Sequence, residues 1–139
     1  MKSKIVMALV AAGVLVGCGG SGSTGGSSDS WKSKDCSVRN GIATDSTLVF
    51  SGSEFVKSEF KYYGDACVSS ENFFHRDTKY SFTVSGDKMK TVILSENTIK
   101  TDGSYYVPAA KGVGYKRTYD YIRESGYMYL GNVVYVQVK

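Results

Sequence analysis

The sequence predicts an all-β domain over residues 31–139, either a small antiparallel β-barrel of about eight strands or a sandwich. Short runs in which apolar and polar residues alternate recur along this part of the chain. Turn signals containing glycine separate these runs about every 8–14 residues, and no stretch shows convincing helical periodicity. The length of about 109 residues suits one domain with a single modest core.

The first half of the domain supplies the early strands. Residues 47–50 form a short apolar run, and residues 55–63 form a longer one that mixes aromatic with charged residues. Residues 80–85 alternate strictly, which predicts a strand with one buried face. Gly86 and Asp87 then predict a hairpin turn into residues 89–94.

Three weaker signals predict shorter elements. Asn40 and Gly41 indicate an N-terminal hairpin turn. Residues 69–76 are compatible with one helical turn, and residues 105–107 predict a strand that ends at the only proline, Pro108.

The last third of the chain has the clearest strand pattern. It predicts a strand over residues 115–123, a second over residues 127–130 and a third over residues 133–138. The turns between them are Ser125-Gly126 and Gly131-Asn132. These hairpins complete the set of antiparallel strands.

The N-terminus carries a different kind of signal. Two lysines, Lys2 and Lys4, precede a 12-residue apolar run over residues 5–16, and the segment ends Leu15-Val16-Gly17-Cys18. As a helix the run is about 18 Å long, too short for the roughly 20 residues that a bilayer core requires. Its length is typical of a signal-peptide apolar region. An ordinary secretory signal with a chance cysteine is the alternative.

This pattern resembles the signal peptide of bacterial lipoproteins. The resemblance implies that Cys18 receives a diacylglycerol and further acyl chains such as palmitate, and that the mature chain begins there. Residues 1–17 are then the signal peptide. Gly19, rather than aspartate, follows the cysteine, and by resemblance this favours the outer membrane within the cell envelope.

Residues 19–30 form a linker of five Gly, five Ser, one Thr and one Asp. Such a segment has no apolar surface to bury, and it behaves as a random coil with an r.m.s. span of roughly 17–21 Å. Residues 18–30 are therefore predicted to tether the domain of residues 31–139 to the membrane through Cys18.

Cys36 and Cys67 remain once Cys18 is assigned to lipid. An exported protein enters an oxidising compartment, so this pair is predicted to form a disulfide that stabilises the domain by roughly 3.5–4 kcal/mol. Two free thiols, or half of a metal site, are the alternatives. The spacing of the cysteines and the presence of one histidine, His75, argue against zinc.

Charge and motifs argue against several classes of function. Without residues 1–17 the chain keeps 15 basic and 13 acidic residues, a net charge of +2, and its lysines are scattered rather than clustered as nucleic-acid binding requires. His75 is expected in a surface loop, and Asp77 is its nearest acidic residue, but no nucleophile elbow or phosphate-binding loop accompanies it. We therefore expect a protein that is not an enzyme and has no metal or cofactor.

One strand holds the candidate ligand-binding residues. Arg117, Tyr119, Tyr121 and Arg123 share one face of the predicted strand. Facing inward, two tyrosines between two arginines would bind an anionic or glycan ligand through stacking and charged hydrogen bonds. The alternative, which the pattern favours, is an outward face of ordinary solvated residues.

Two further resemblances concern the mature domain. Trp31, the run ending Leu48-Val49-Phe50-Ser51-Gly52 and the hairpin over residues 80–89 resemble the small bacterial lipocalin-like barrels. That resemblance implies an up-and-down barrel whose interior holds a small apolar ligand. Ser125-Gly126-Tyr127-Met128-Tyr129 resembles the Ser-Gly-x-x-Tyr loop of lipid-anchored lysozyme inhibitors.

The expected function is accordingly a lipid-anchored envelope lipoprotein. Its small β domain would act as a non-catalytic binding module for a small apolar or glycan ligand. The alternative is a protein-interaction role, as a lysozyme-type inhibitor or an envelope assembly factor. The expected partners are the membrane, through Cys18, and a small molecule or an envelope protein, but not nucleic acid.

Overall fold

The computed structural model describes residues 29–104 and 106–138, which form an antiparallel sheet of nine strands. The strands, numbered here in chain order, are β1 (Asp29–Ser33), β2 (Ser37–Arg39), β3 (Ile42–Ser51), β4 (Glu54–Tyr63), β5 (Asn72–Ser85), β6 (Lys88–Thr101), β7 (Lys116–Glu124), β8 (Tyr127–Leu130) and β9 (Val133–Gln137). The predicted lipidation residue Cys18, the predicted signal peptide and most of the predicted linker lie outside the described residues.

The sheet closes on itself as a barrel of eight strands. From β3 to β9 each strand pairs with the next along the chain, and β1 pairs with β9 on one side and with β3 on the other. β2 is an additional strand that pairs only with β3. The all-β prediction and the strand number are confirmed, and the architecture is a barrel rather than a sandwich.

The predicted hairpin turns are present. Asn40 and Gly41 connect β2 to β3 with φ of 54° and 78°, the positive pair that a tight hairpin turn of this type requires. Turns at residues 86–87, 125–126 and 131–132 connect the strand pairs that the sequence predicts.

The two ends of the barrel differ in the length of their connections. At one end, two-residue turns join β3 to β4, β5 to β6 and β7 to β8, and β1 begins there at Asp29. We call this the closed end. At the other end, which we call the open end, the chain makes longer connections over residues 34–41 (which include β2), 64–71 and 102–115. The two-residue turn between β8 and β9 also lies at this end.

The apolar core fills the barrel mainly toward the closed end. The rings of Phe50 and Phe55 lie 4.9 Å apart, and Phe55 stacks on Tyr80 at 4.7 Å. Trp31 is only 1% exposed. The buried cluster consists of Trp31, Leu48, Phe50, Phe55, Tyr80, Met89, Ile93, Met128, Leu130 and Tyr135.

One of the weaker predictions is wrong, and the helical turn within residues 69–76 is present over a shorter range. Residues 106–107 are not a strand, because they lie in the 102–115 connection, where Ser104 begins a turn by accepting the amide of Val107 at 3.2 Å. Glycines at positive φ, such as Gly112 and Gly114, occur in the same connection and disfavour a regular strand. The helical turn is confined to Ser69–Glu71.

The predicted disulfide is confirmed. Cys36 and Cys67 are bonded, with their Cα atoms 5.9 Å apart. Cys36 lies in the connection between β1 and β2, and Cys67 lies in the connection between β4 and β5. The bond therefore joins two of the longer connections at the open end.

Candidate functional site

A cavity of about 430 Å³ opens at the open end of the barrel. Most of the residues that line it are polar or charged. They are Ser33, Asp35, Ser37, Arg39, Asn40, Ile42, Thr44, Asp45, Ser46, Lys57, Glu59, Lys61, Tyr106 and Val133. We call this the open-end cavity. Its volume lies within the range of small-molecule sites, about 300–1,000 Å³.

The charged part of the lining follows from the two-residue period of β4. Phe55 is buried in the core, so the alternate residues Lys57, Glu59 and Lys61 also face the interior. The same face of the strand is therefore apolar at the closed end and charged at the open end. In a barrel this small, those charged side chains occupy space that the apolar core leaves unfilled.

Lys61 has two partners within the cavity. Its Nζ lies 3.4 Å from Oε2 of Glu59 and donates a hydrogen bond of 3.2 Å to Oγ1 of Thr44. Lys57 differs, since no carboxylate among the described residues lies within ion-pair distance of its ammonium group.

Arg76 on β5 lies directly across the strand ladder from Glu59. It is 9% exposed. Its Nε donates to Oγ1 of Thr98 at 3.1 Å, and its Cζ lies 5.0 Å from the centre of the Phe74 ring. No oxygen of the described residues accepts a hydrogen bond from its two Nη groups.

The 102–115 connection is held against the open end by two carboxylates. Glu96 of β6 accepts the backbone amide of Gly112 at 2.6 Å. Asp102 accepts a hydrogen bond from the Tyr63 hydroxyl of β4, and this bond lowers the pKa of the Asp102 carboxyl. Tyr106 of the same connection lines the open-end cavity.

Hydroxyl groups mark the boundary between cavity and core. The hydroxyls of Ser46 and Tyr135 lie 2.8 Å apart, and Ser33 Oγ accepts the amide of Ser46 at 3.1 Å. Burial raises the pKa of Tyr135, partly offset by the hydrogen bond with Ser46. The Tyr135 hydroxyl therefore faces Ser46, a residue that lines the cavity.

The four residues predicted as a ligand site are brought together on β7, but they do not line the open-end cavity. The outward orientation that the pattern favours is wrong, because Tyr119 and Tyr121 are half-buried and pack against the core cluster. Burial raises the pKa of Tyr121, and the neighbouring Arg123 opposes that rise.

The two arginines of this set contact neighbouring side chains at opposite ends of the tyrosine pair. Arg123 places its Cζ 5.0 Å from the centre of the Trp31 ring and its Nη2 2.8 Å from Oδ2 of Asp29. Arg117 lies 4.7 Å above the ring of Tyr119. Arg123 therefore covers the closed end of the core.

His75 lies on the outer face of β5, not in a surface loop as expected. Its Nε2 is 2.8 Å from Oδ1 of Asp77, and the same oxygen accepts the hydroxyl of Ser58 at 2.7 Å. The ring stacks on Phe60 at 4.3 Å. Because Ser58 donates to Asp77 and has no hydrogen bond to His75, the arrangement does not activate the hydroxyl as a nucleophile.

Two kinds of feature are absent from the described residues, a metal-binding cluster and a helix that could span a membrane. Residues 29–104 and 106–138 contain no group of three or more histidine, cysteine or acidic side chains that could hold a metal ion. None of their helical segments has the length and apolar character needed to cross a membrane.

Comparison with known proteins gave no relative of this chain. No protein family, no curated protein and no solved structure matched it. The function is therefore inferred from the sequence and from the geometry of the barrel.

The sequence-based interpretation missed the charged residues of the interior. Lys57, Glu59 and Lys61 were read only as charges among aromatic residues of one strand. Continuing the two-residue alternation of the strand from Phe55 would have placed Lys57, Glu59 and Lys61 on the same face as Phe55. No comparable signal indicates that Arg76 faces them, because that pairing depends on the register of β4 and β5.

The contacts of Arg123 generate a prediction for the closed end. Arg123→Met removes a cation over Trp31 and an ion pair with Asp29, and we expect the free energy of unfolding to fall by about 1–2 kcal/mol. Arg117→Met is the matched control, since it removes a cation over an aromatic ring on the same strand without an ion pair, and should cost about 0.5 kcal/mol. Chemical denaturation measures both. Equal losses for the two variants would contradict this role for Arg123.

Proposed function

We propose that this protein is a lipid-anchored lipoprotein of the bacterial envelope whose barrel binds a small polar ligand in the open-end cavity. The observation that carries the proposal is the inward-facing row Lys57, Glu59 and Lys61 beside a cavity of about 430 Å³. Burying such side chains is costly where a core of apolar residues would suffice. Their presence at one end favours a binding role.

The lining favours a hydroxyl-rich ligand over an apolar one. Hydroxyl groups of Ser33, Thr44 and Ser46 and the amide of Asn40 offer donors and acceptors, and Ile42 and Val133 add aliphatic surface. Of the two ligand classes that the sequence suggests, small apolar molecules and glycans, this chemistry supports the second.

The position of the N-terminus supports a defined orientation. β1 begins at Asp29, which pairs with Phe50 at the closed end. A linker that runs from a lipidated Cys18 to this point would attach the membrane to the closed end. The cavity at the opposite end would then face away from the membrane, toward dissolved ligands.

A second candidate function, interaction with an envelope protein, is favoured by one surface. On the outer face, Ile122, Tyr127 and Tyr129 are 51%, 46% and 40% exposed, and Val134 lies across the ladder from Tyr129. Contiguous exposed apolar residues are typical of interaction surfaces. The Ser125-Gly126 pair forms a tight hairpin turn rather than a projecting loop, so the likeness to the lysozyme inhibitors is carried by Tyr129 alone.

Ligand retention tests the binding role. We expect native mass spectrometry of the protein purified from bacterial membranes to show an added small-molecule mass. Thr44→Phe places a ring in the cavity and should remove that mass. Thr47→Phe is the matched control, because the same substitution on the same strand faces outward and should leave the mass in place.

Two results would count against the binding role. One is a wild-type protein that carries no small molecule but co-purifies with another protein, which favours the second candidate. The other is retention of the small molecule by Thr44→Phe at the wild-type level, which places the ligand elsewhere.

The lipid anchor has its own test. Cys18→Ser removes the thiol that receives the diacylglycerol, and a single polypeptide without acyl chains loses stable membrane attachment. We expect this variant in the soluble fraction of the envelope, and the wild-type protein in the membrane fraction. A variant that stays with the membrane at the wild-type level would contradict the anchor.

A further inference from the structure

Arg76 is a buried charge without a complete set of partners. About nine-tenths of the residue is buried, yet within the described part of the chain only its Nε has an acceptor, the hydroxyl of Thr98. Its other contact is with the Phe74 ring, whose centre lies 5.0 Å from Cζ. No carboxylate of the described residues lies within ion-pair distance of it. A buried guanidinium without an anion is destabilising, so the two Nη groups indicate a partner that residues 29–104 and 106–138 do not supply.

The surroundings of Arg76 hold more positive than negative charge. On the inner face of β4, Lys57 and Lys61 flank Glu59, and Glu59 lies opposite Arg76 in the register. Three cations therefore share the interior with two carboxylates, Glu59 and Glu96, the second of which lies opposite Thr78. Glu59 contacts Lys61 at 3.4 Å, and no carboxylate of the described residues lies within ion-pair distance of Arg76 or Lys57.

The other nearby acids are already engaged. Glu96 faces the interior opposite Thr78, but its two oxygens accept the amides of Gly112 and Lys111. At the rim of the cavity, Asp45 accepts the Tyr62 hydroxyl at 2.9 Å. Neither carboxylate is placed to neutralise the guanidinium of Arg76.

We propose that Lys57, which lines the open-end cavity, and Arg76 form an anion site where that cavity meets the buried interior. Arg76 is not itself a lining residue, but it lies across the ladder from Glu59, which is one. The site would bind the carboxylate or phosphate group of a hydroxyl-rich organic anion, a sugar acid or a sugar phosphate. This inference rests on the proposed ligand-binding function and names the ligand class. The planar guanidinium binds either group through two parallel hydrogen bonds, and the ammonium group adds a point charge.

The remainder of the ligand would occupy the space between β3 and β4. Hydroxyl groups of Thr44 and Ser46 line that space and suit the hydroxyl groups of a sugar. Glu59 competes with the ligand for the same cations, so its carboxylate sets the strength of binding and disfavours anions that lack compensating hydroxyl contacts.

Isothermal titration calorimetry of the full chain in a non-ionic detergent tests the site. The probes are glucose 6-phosphate, glucuronate, inorganic phosphate and, as the neutral match, glucose. We expect both sugar anions to bind about tenfold to a hundredfold more tightly than glucose, the range of hydrogen bonds to charged groups. Inorganic phosphate should bind more weakly than glucose 6-phosphate, because it lacks the sugar hydroxyls.

Four variants assign the effect to residues. Arg76→Met should abolish the preference for the anions over glucose, and Arg76→Lys should keep part of it. Glu59→Gln should strengthen anion binding by removing the competing carboxylate. Lys79→Met removes a cation from the outer face of β5, the strand that carries Arg76. It should leave the preference for the anions over glucose unchanged.

The outcomes separate this inference from the proposed function. The anion site is overturned if Arg76→Met leaves anion binding intact. It is also overturned if Lys79→Met weakens anion binding as much as Arg76→Met does. A retained small molecule without an acidic group, together with no binding of either sugar anion, overturns the anion site but leaves the proposed function. Failure of every probe to bind, together with a clean mass for the purified protein, overturns both.

Discussion

The double pairing of β1 is the constraint on which the rest of the structure depends. β1 pairs with β9 and β3 at once, which turns a sheet with two free edges into a closed barrel and removes most of its unpaired backbone. It also places Trp31 inside the barrel, 1% exposed. Once the barrel is closed, every second residue of each strand must lie in a small interior, and the sequence of each strand decides what that interior contains.

The interior is divided by composition along the strands. Near the closed end, aromatic side chains pack at 4.7–4.9 Å between ring centres, and Arg123 covers Trp31. Near the open end, the same faces of β4 and β5 carry Lys57, Glu59 and Arg76. The apolar half supplies the stability that allows the charged half to remain open, and the disulfide constrains the longer connections around it.

Much of the fold was predictable, because it depends on local patterns. Alternation in residues 80–85 and hairpin signals such as Gly86-Asp87 define strands and turns directly, and the pairing of Cys36 with Cys67 followed from counting cysteines.

The candidate site was less predictable than the fold. Tyr119 and Tyr121 were recognised as a pair on one face, but which face points inward depends on the closure of the barrel. The meeting of Arg76 with Glu59 depends on the register between two strands, and no local pattern in either strand encodes it.

The central claim is that the interior of the open end holds a cationic site that is free to bind an anion. Nuclear magnetic resonance of the side-chain N–H groups of arginine, with increasing inorganic phosphate at constant ionic strength, tests it most directly. The Nε–H signal of Arg76 should shift and saturate, while that of Arg123, already paired with Asp29, should stay in place. An unshifted Arg76 signal, or equal and unsaturated shifts for both arginines, would contradict the claim.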